Sequence, residues 1–216
     1  MNAPLLSILS TIETDWREYQ DDWKGCERCP LCEDRKKVVL ARGKLPAHVL
    51  FVGEAPGTSE DSIGYAFVGP AGQKANEIIQ AAFNDLYPDE TFISSAGSIG
   101  NPRRGYIRFA FANIVGCIPW NEEGDGVRPP TKTEAKTCQA HLTRLIELAE
   151  PVAIVTLGKV ATRLLPDTDV PTVEAIHPAA ILREKSIPKA NLSFKRSVKK
   201  YAQAFRMVRF LKKGTL

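Results

Sequence analysis

The chain has 216 residues, 44% of them hydrophobic and 25% charged, enough for one domain with a packed core, which excludes a disordered or collagen-like chain. Its formal net charge of +4 is uneven: from Arg183 to Leu216 there are 11 Lys and Arg against one acid, a tail of about +10 on a body of about −6. No run approaches the roughly 20 apolar residues of a membrane span, and the opening MNAPLLSILSTIETDW lacks the basic start and small-residue cleavage site of an export signal, so a cytoplasmic, monomeric protein with no membrane partner is expected, a single domain over residues 1–216.

Leu5, Leu9, Ile12, Trp16, Tyr19 and Trp23 recur at alternating four- and three-residue spacing, which predicts an amphipathic helix ending near Gly25. A loop carrying Cys26, Cys29 and Cys32 follows. Five cysteines, an odd number, do not suit a secreted disulfide framework. Thiolates two residues apart in a loop can share one metal or one cluster, and zinc and iron–sulfur are both admissible on spacing. HVLFVGEA (48–55) is an apolar run with a Gly/Pro-rich exit, as a buried parallel strand opening onto a site would have, and FAFANIVGC (109–117) and VAIVTLG (152–158) repeat it. Helices are predicted over Ala71–Leu86 and Thr131–Glu150, the second opened by a capping box of Thr131 and Glu134. The alternation implies an α/β fold, a three-layer α/β/α sandwich around a central, mostly parallel sheet of about four strands. Ser94–Arg108 and Trp120–Pro130, rich in turn residues, read as surface loops. A last helix runs from about Phe194 to Leu211, with Phe194, Val198, Tyr201, Phe205 and Val208 inward and Lys195, Arg196, Lys199, Arg206 and Lys213 elsewhere. Its cationic face suits a polyanion, most simply nucleic acid, although a merely solvated helix face would have the same composition.

Three constellations carry chemistry. Cys117 ends a strand, and Cys138 shares an apolar helix face with Leu142, Leu145 and Ala149. Alone, Cys138 reads as a core cysteine; beside a CxxC pair, both become candidates to complete a site of four thiolates. The second constellation is Gly53-Glu54-Ala55-Pro56-Gly57, then Glu60-Asp61 and Gly64-Tyr65-Ala66-Phe67-Val68-Gly69-Pro70-Ala71-Gly72. Such a strand exit lets backbone amides approach a ligand and lets an acid hold a water or a sugar; it is no dinucleotide fingerprint, and a plain turn with solvated acids is the alternative. The third is His177 before Pro178, a turn residue unless it converges with Glu54 and Asn113 on the same strand ends, as a doubly wound sheet would arrange.

CERCPLC, VGEAPGTSEDSIGYAFVGPAG, ANIVGC, PPTKTEAKTC, VTLGKVA and HPAAILR stand in the order seen in the iron–sulfur, family 4 uracil-DNA glycosylases, which the chain resembles from about Cys26 to Arg183. The resemblance implies a four-iron, four-sulfur cluster on Cys26, Cys29, Cys117 and Cys138, with Cys32 dispensable. It implies that Glu54 is the acid associated with catalysis, that Phe67 stacks on an extruded base and that Asn113 reads the base edge. It also implies that His177 lies near the uracil carbonyl, that Gly53 and Ala55 border the base, and that Ile181 is a wedge filling the gap left by the flipped nucleotide, with Arg183 beside it on the DNA. The implied activity is that of a monofunctional glycosylase in base excision repair, with DNA as partner; no lysine is placed as a Schiff-base nucleophile. Three features depart from the family pattern: Ala66 replaces a usual proline, Gly116 replaces a basic residue before the cysteine, and residues 94–108 look like an insertion. A bulkier modified pyrimidine as target, a noncatalytic nucleic-acid-binding module stapled by the cluster, and an unrelated zinc protein are the competing readings. The basic tail is the expected backbone contact, with Arg103, Arg104 and Arg108 as the alternative.

Overall fold

The computed structural model describes residues 14–91, 93–95, 97–101 and 105–213, without the side chains of 101 and 209–213. Helix α1 covers 14–23, so Trp16, Tyr19 and Trp23 lie on the expected helix, while Leu5, Leu9 and Ile12 fall outside the described residues. The elements that follow are α2 (Leu31–Asp34), β1 (Arg42–Gly43), β2 (Val49–Gly53), α3 (Thr58–Ile63), α4 (Pro70–Leu86), β3 (Ile93–Ser95), β4 (Ser98–Asn101) and β5 (Gly105–Asn113). Then come α5 (Lys132–Ala149), β6 (Ala153–Leu157), α6 (Lys159–Leu164), β7 (Thr172–Ala175), α7 (Pro178–Arg183) and α8 (Ile187–Lys213).

Four parallel strands in the order β5-β2-β6-β7 form the middle of the sheet, as the repeated apolar runs imply. Three short antiparallel strands extend it: β3 and β4 beyond β5, and β1 on the same edge of β5 where β4 leaves off. Every residue of β2 and β6 is buried, because helices cover both faces. Alternate residues divide between two cores. Val49, Phe51, Phe109, Phe111 and Val155 pack under α4 and α8, while Leu50, Val52, Ala110, Ala112 and Ile154 pack under α1 and α5. Among the described residues no helix is long and apolar enough to cross a membrane.

Two expectations need correction. Ser94–Arg108 is not a loop: its described parts belong to the β3–β4–β5 meander, in which Ile99 pairs with Ile107 and is fully buried. The last helix starts at Ile187 rather than near Phe194. It runs alongside α4, with the Phe205 ring tilted against that of Phe83 at a centroid distance of 4.7 Å. Phe83 lies 13 residues along α4, about 20 Å from its start at 1.5 Å per residue. The capping box of α5 forms as its sequence dictates, with the Thr131 hydroxyl accepting from the Glu134 N–H at 3.1 Å.

Candidate active site

Parallel pairing places Gly53 and Asn113 opposite each other at the carboxyl ends of β2 and β5. Glu54 and Ala55 follow β2 immediately, and His177 comes two residues after β7, so all these positions gather at the same edge of the sheet. Glu54, Ala55, Phe67, Asn113, His177 and Arg183 line one cleft of about 530 Å³, which is the convergence that decides between a turn histidine and a site histidine.

Phe67 forms the floor. Its backbone is left-handed, with φ of 55°, a costly state for a residue with a side chain. Two contacts hold it: Arg42 donates to the carbonyls of Ala66 and Phe67 at 2.7 and 3.0 Å, and α4 begins so close that a Cβ on Gly72 would lie 1.8 Å from the Phe67 carbonyl oxygen. Gly53 sits behind the ring: a Cβ there would lie 2.5 Å from Phe67 Cζ and 2.6 Å from Asn113 Oδ1. Asn113 is 3% exposed and its Oδ1 has no hydrogen-bond partner, an unmet buried acceptor at the cleft wall.

His177 caps α7, its Nδ1 accepting the Ala179 N–H at 3.1 Å. In the neutral ring the proton therefore sits on Nε2, and burial together with the Arg183 charge pushes the pKa down to about 4, so the ring is neutral at physiological pH. Burial raises the Glu54 carboxyl above its ordinary value, while the charges of Arg183 and Arg163 pull the other way. The neighbouring acids have other duties. Glu60 accepts from the N–H groups of Gly57 and Gly69 at 3.2 and 2.7 Å, closing the loop around the cleft, and Asp61 accepts from the Lys36 N–H at 3.0 Å. Sequence reading grouped Glu60 and Asp61 with Glu54; only the backbone geometry separates them. Reading the sequence also missed Arg128, which lines the cleft and grips Glu134 of α5 with both ends of its guanidinium at 2.9 and 2.7 Å. The RPP run at the foot of an acidic loop was the available signal.

The structure places one expected side chain elsewhere. Ile181 is 6% exposed and belongs to the core under α4 and α8, so it does not reach the cleft mouth. Its neighbour Leu182 is 46% exposed, and Ile187 is 74% exposed at the start of α8.

The match to the uracil DNA glycosylase superfamily covers residues 41–206, which include every cleft residue named above. The chain belongs to that superfamily. Within it, the chain is similar to the type-4 uracil-DNA glycosylase of Saccharolobus solfataricus, 33% identical over 145 residues, or 67% of this chain and 56% of that protein. It is also similar to the type-4 enzymes of Pyrobaculum aerophilum, 31% identical over 151 residues (70% and 64%), and Thermotoga maritima, 32% identical over 144 residues (67% and 62%). The chain thus matches between half and two thirds of the length of each of these relatives.

Cys26, Cys29, Cys117 and Cys138 lie toward the other face of the sheet, in the core under α1 and α5. Cys117 and Cys138 are buried; Cys26, Cys29 and Cys32 are half-buried. Burial raises the Cys29 thiol, helped by the charges of Cys26, Glu134 and Cys32. Burial pushes Cys117 up to about 12, with Cys138 and Cys29 adding to it, and burial raises Cys138, with Cys29 and Cys26 adding to it. The charges of Cys29 and Cys26 thus reach Cys138 and those of Cys138 and Cys29 reach Cys117, across three separate elements, while Cys32 acts on Cys29. Arg35 donates to Cys117 Sγ at 3.7 Å. Among the described residues, no three His, Cys, Asp or Glu side chains are gathered as a single metal ion requires.

Proposed function

We propose that the chain is a monofunctional DNA glycosylase that extrudes uracil from DNA, hydrolyses its N-glycosidic bond and leaves an abasic site for base excision repair. The observation that carries this reading is the unpaired, buried Oδ1 of Asn113 in the cleft that Phe67, a neutral His177 and Glu54 also line. Uracil stacked on Phe67 presents N3–H to Asn113 Oδ1 and O4 to its amide group; cytosine offers the opposite pattern. In the bond-breaking step the C1′–N1 electron pair leaves with the base, and the His177 Nε2–H donates to the developing oxyanion. Water adds to C1′ and gives up a proton to Glu54, whose carboxylate also offsets positive charge on the sugar. Burial makes that carboxylate more basic than one in solvent.

The cleft mouth suits extrusion from a duplex. Arg183 lines the cleft and its neighbour Leu182 is exposed, so Leu182 takes the wedge role that the resemblance gave to Ile181. The four-iron, four-sulfur cluster falls to Cys26, Cys29, Cys117 and Cys138, one thiolate per iron: the charges of Cys29 and Cys26 reach Cys138, and those of Cys138 and Cys29 reach Cys117. When bound, it supplies a cross-link among the loop after α1, the exit of β5 and helix α5, which stiffens the strand end that presents Asn113. The deciding experiment is an oligonucleotide panel carrying uracil, hypoxanthine, xanthine and modified cytosines, cut at abasic sites and read on a gel. Release of uracil by the native chain, with discrimination against cytosine weakened in Asn113→Asp, is expected. Release of another base alone would transfer the reading to that base, and DNA binding without release of any base would leave a binding module.

A further inference from the structure

Beside the cysteines, two polar side chains are buried with nothing to bond. His141 is 1% exposed, and neither Nδ1 nor Nε2 has a partner; Tyr19 is 2% exposed, and its hydroxyl has none. Buried polar atoms in native proteins are almost always satisfied, so three orphans in one place call for an acceptor that belongs there. The two rings lie 5.5 Å apart, and Trp23 closes the cage with its ring 5.5 Å from His141.

This cage adjoins the thiols. His141 follows Cys138 by three residues on α5, which puts the two side chains on one face of that helix, and both are buried. The Gly116 backbone holds the Cys138 thiol down against the effect of burial, and the Tyr19 phenol feels the Cys138 charge. A Cβ on Gly116 would lie 3.8 Å from His141 Nε2, after Val38 Cγ1 at 3.3 Å and the Val39 carbonyl oxygen at 3.5 Å, so the imidazole edge comes within van der Waals reach of the backbone directly ahead of Cys117. An imidazole carries at least one N–H in either charge state, and a phenol carries an O–H; both are donors. The acceptors an occupied four-cysteine site would add are thiolate and sulfide sulfurs, and hydrogen bonds to those sulfurs are one of the protein's controls on cluster potential.

We propose that His141 and Tyr19 donate hydrogen bonds to the sulfurs of the Cys26, Cys29, Cys117 and Cys138 site when it holds its cluster, and thereby raise the reduction potential. The inference rests on the iron–sulfur reading above. Both are positioning residues, remote from the base cleft. Donors stabilise the reduced cluster, which carries the extra negative charge, so their removal moves the potential negative.

The test uses the full chain, loaded with iron and sulfide without air, as native protein and as His141→Phe, His141→Gln and Tyr19→Phe variants. Iron content, the potential from spectroelectrochemical titration and the Fe–S stretching frequencies from resonance Raman are measured on each. Expected are four irons per chain throughout, a more negative potential and shifted Fe–S bands in His141→Phe and Tyr19→Phe, and a return toward the native values in His141→Gln, which keeps an N–H donor. Iron-loaded His141→Phe and Tyr19→Phe with native potential and native bands would overturn the proposal. So would a His141→Gln variant that matches His141→Phe. If His141→Phe does not hold iron, Tyr19→Phe and His141→Gln decide by the same criteria. A native chain that takes up no iron, or binds zinc in its place, refutes the cluster reading itself and is told apart by the metal analysis alone.

Discussion

Replacing Gly53 by alanine adds one methyl group behind the proposed base pocket, and the surrounding geometry sets its cost. The new Cβ would stand 2.5 Å from Phe67 Cζ and 2.6 Å from Asn113 Oδ1, whereas carbon atoms rest at about 3.5 to 4.0 Å. One or both neighbours must therefore retreat by about 1 Å. Neither is free to do so cheaply. The Phe67 backbone is clamped by Arg42 and by the close approach of Gly72, and Asn113 ends a strand registered on Gly53 itself. A displacement of about 1 Å at a group that positions substrate costs on the order of 100-fold in rate, or about 2.7 kcal/mol of barrier, and overpacking a core typically costs about 1 to 3 kcal/mol of stability. The assay is single-turnover release of uracil at saturating oligonucleotide, with thermal unfolding on the same samples. Gly53→Ala should lose about 100-fold in rate. The double variant Gly53→Ala, Phe67→Leu should recover stability but not rate, because the smaller side chain makes room without restoring a stacking face. A Gly53→Ala rate within about threefold of native would mean that Phe67 and Asn113 do not form the pocket.

Exchanging the two candidate wedges separates a core role from a surface one: Ile181→Ala should lower stability by about 2 to 5 kcal/mol, whereas Leu182→Ala should leave stability within about 0.5 kcal/mol and slow release about tenfold from duplex but not from single-stranded DNA; the reverse pattern in melting and kinetics would restore Ile181 to the mouth. In the pH profile of single-turnover rate, the acid limb should follow Glu54 first, since catalysis needs its carboxylate ionised and burial raises it, while burial and the Arg183 charge push His177 down to about 4. Arg183→Met removes a charge that lowers the Glu54 pKa, so the limb should move to higher pH at saturating DNA, and an unmoved limb would detach Arg183 from Glu54. For salt dependence, neutralising Arg183, Lys185 and Lys189 should flatten the slope of log affinity against log salt by about 2 to 3 units, while neutralising Arg206, which follows Phe205 some 20 Å along the helices from the cleft, should change it little; equal effects would return the backbone contact to the whole tail.

Much of this molecule is written locally. The apolar runs at β2, β5 and β6 are buried on both faces whatever their neighbours, so their composition announces central strands. The Thr131 and Glu134 capping box needs only residues three apart, and it forms. Parallel strands then bring their carboxyl ends together, which is why Glu54, Asn113 and His177 could be grouped before any coordinates and do meet in one cleft. What the sequence left open were choices made by docking. Ser98–Asn101 lacks the apolar alternation of a strand and becomes β4 because β5 extends beyond β2 and offers it an unpaired edge. Glu60, Asp61 and Glu54 are alike in sequence, and the backbone amides that reach the first two, from Gly69 and Lys36, arrive from 9 and 25 residues away. Ile181 and Leu182 are adjacent and equally apolar; α7 turns one into the core beneath α4 and α8 and leaves the other in solvent, a difference of orientation that no residue's own chemistry encodes. The charge count of the tail was plain in the sequence, but not the direction of α8, which carries Arg206 away from the cleft because its apolar stripe follows α4.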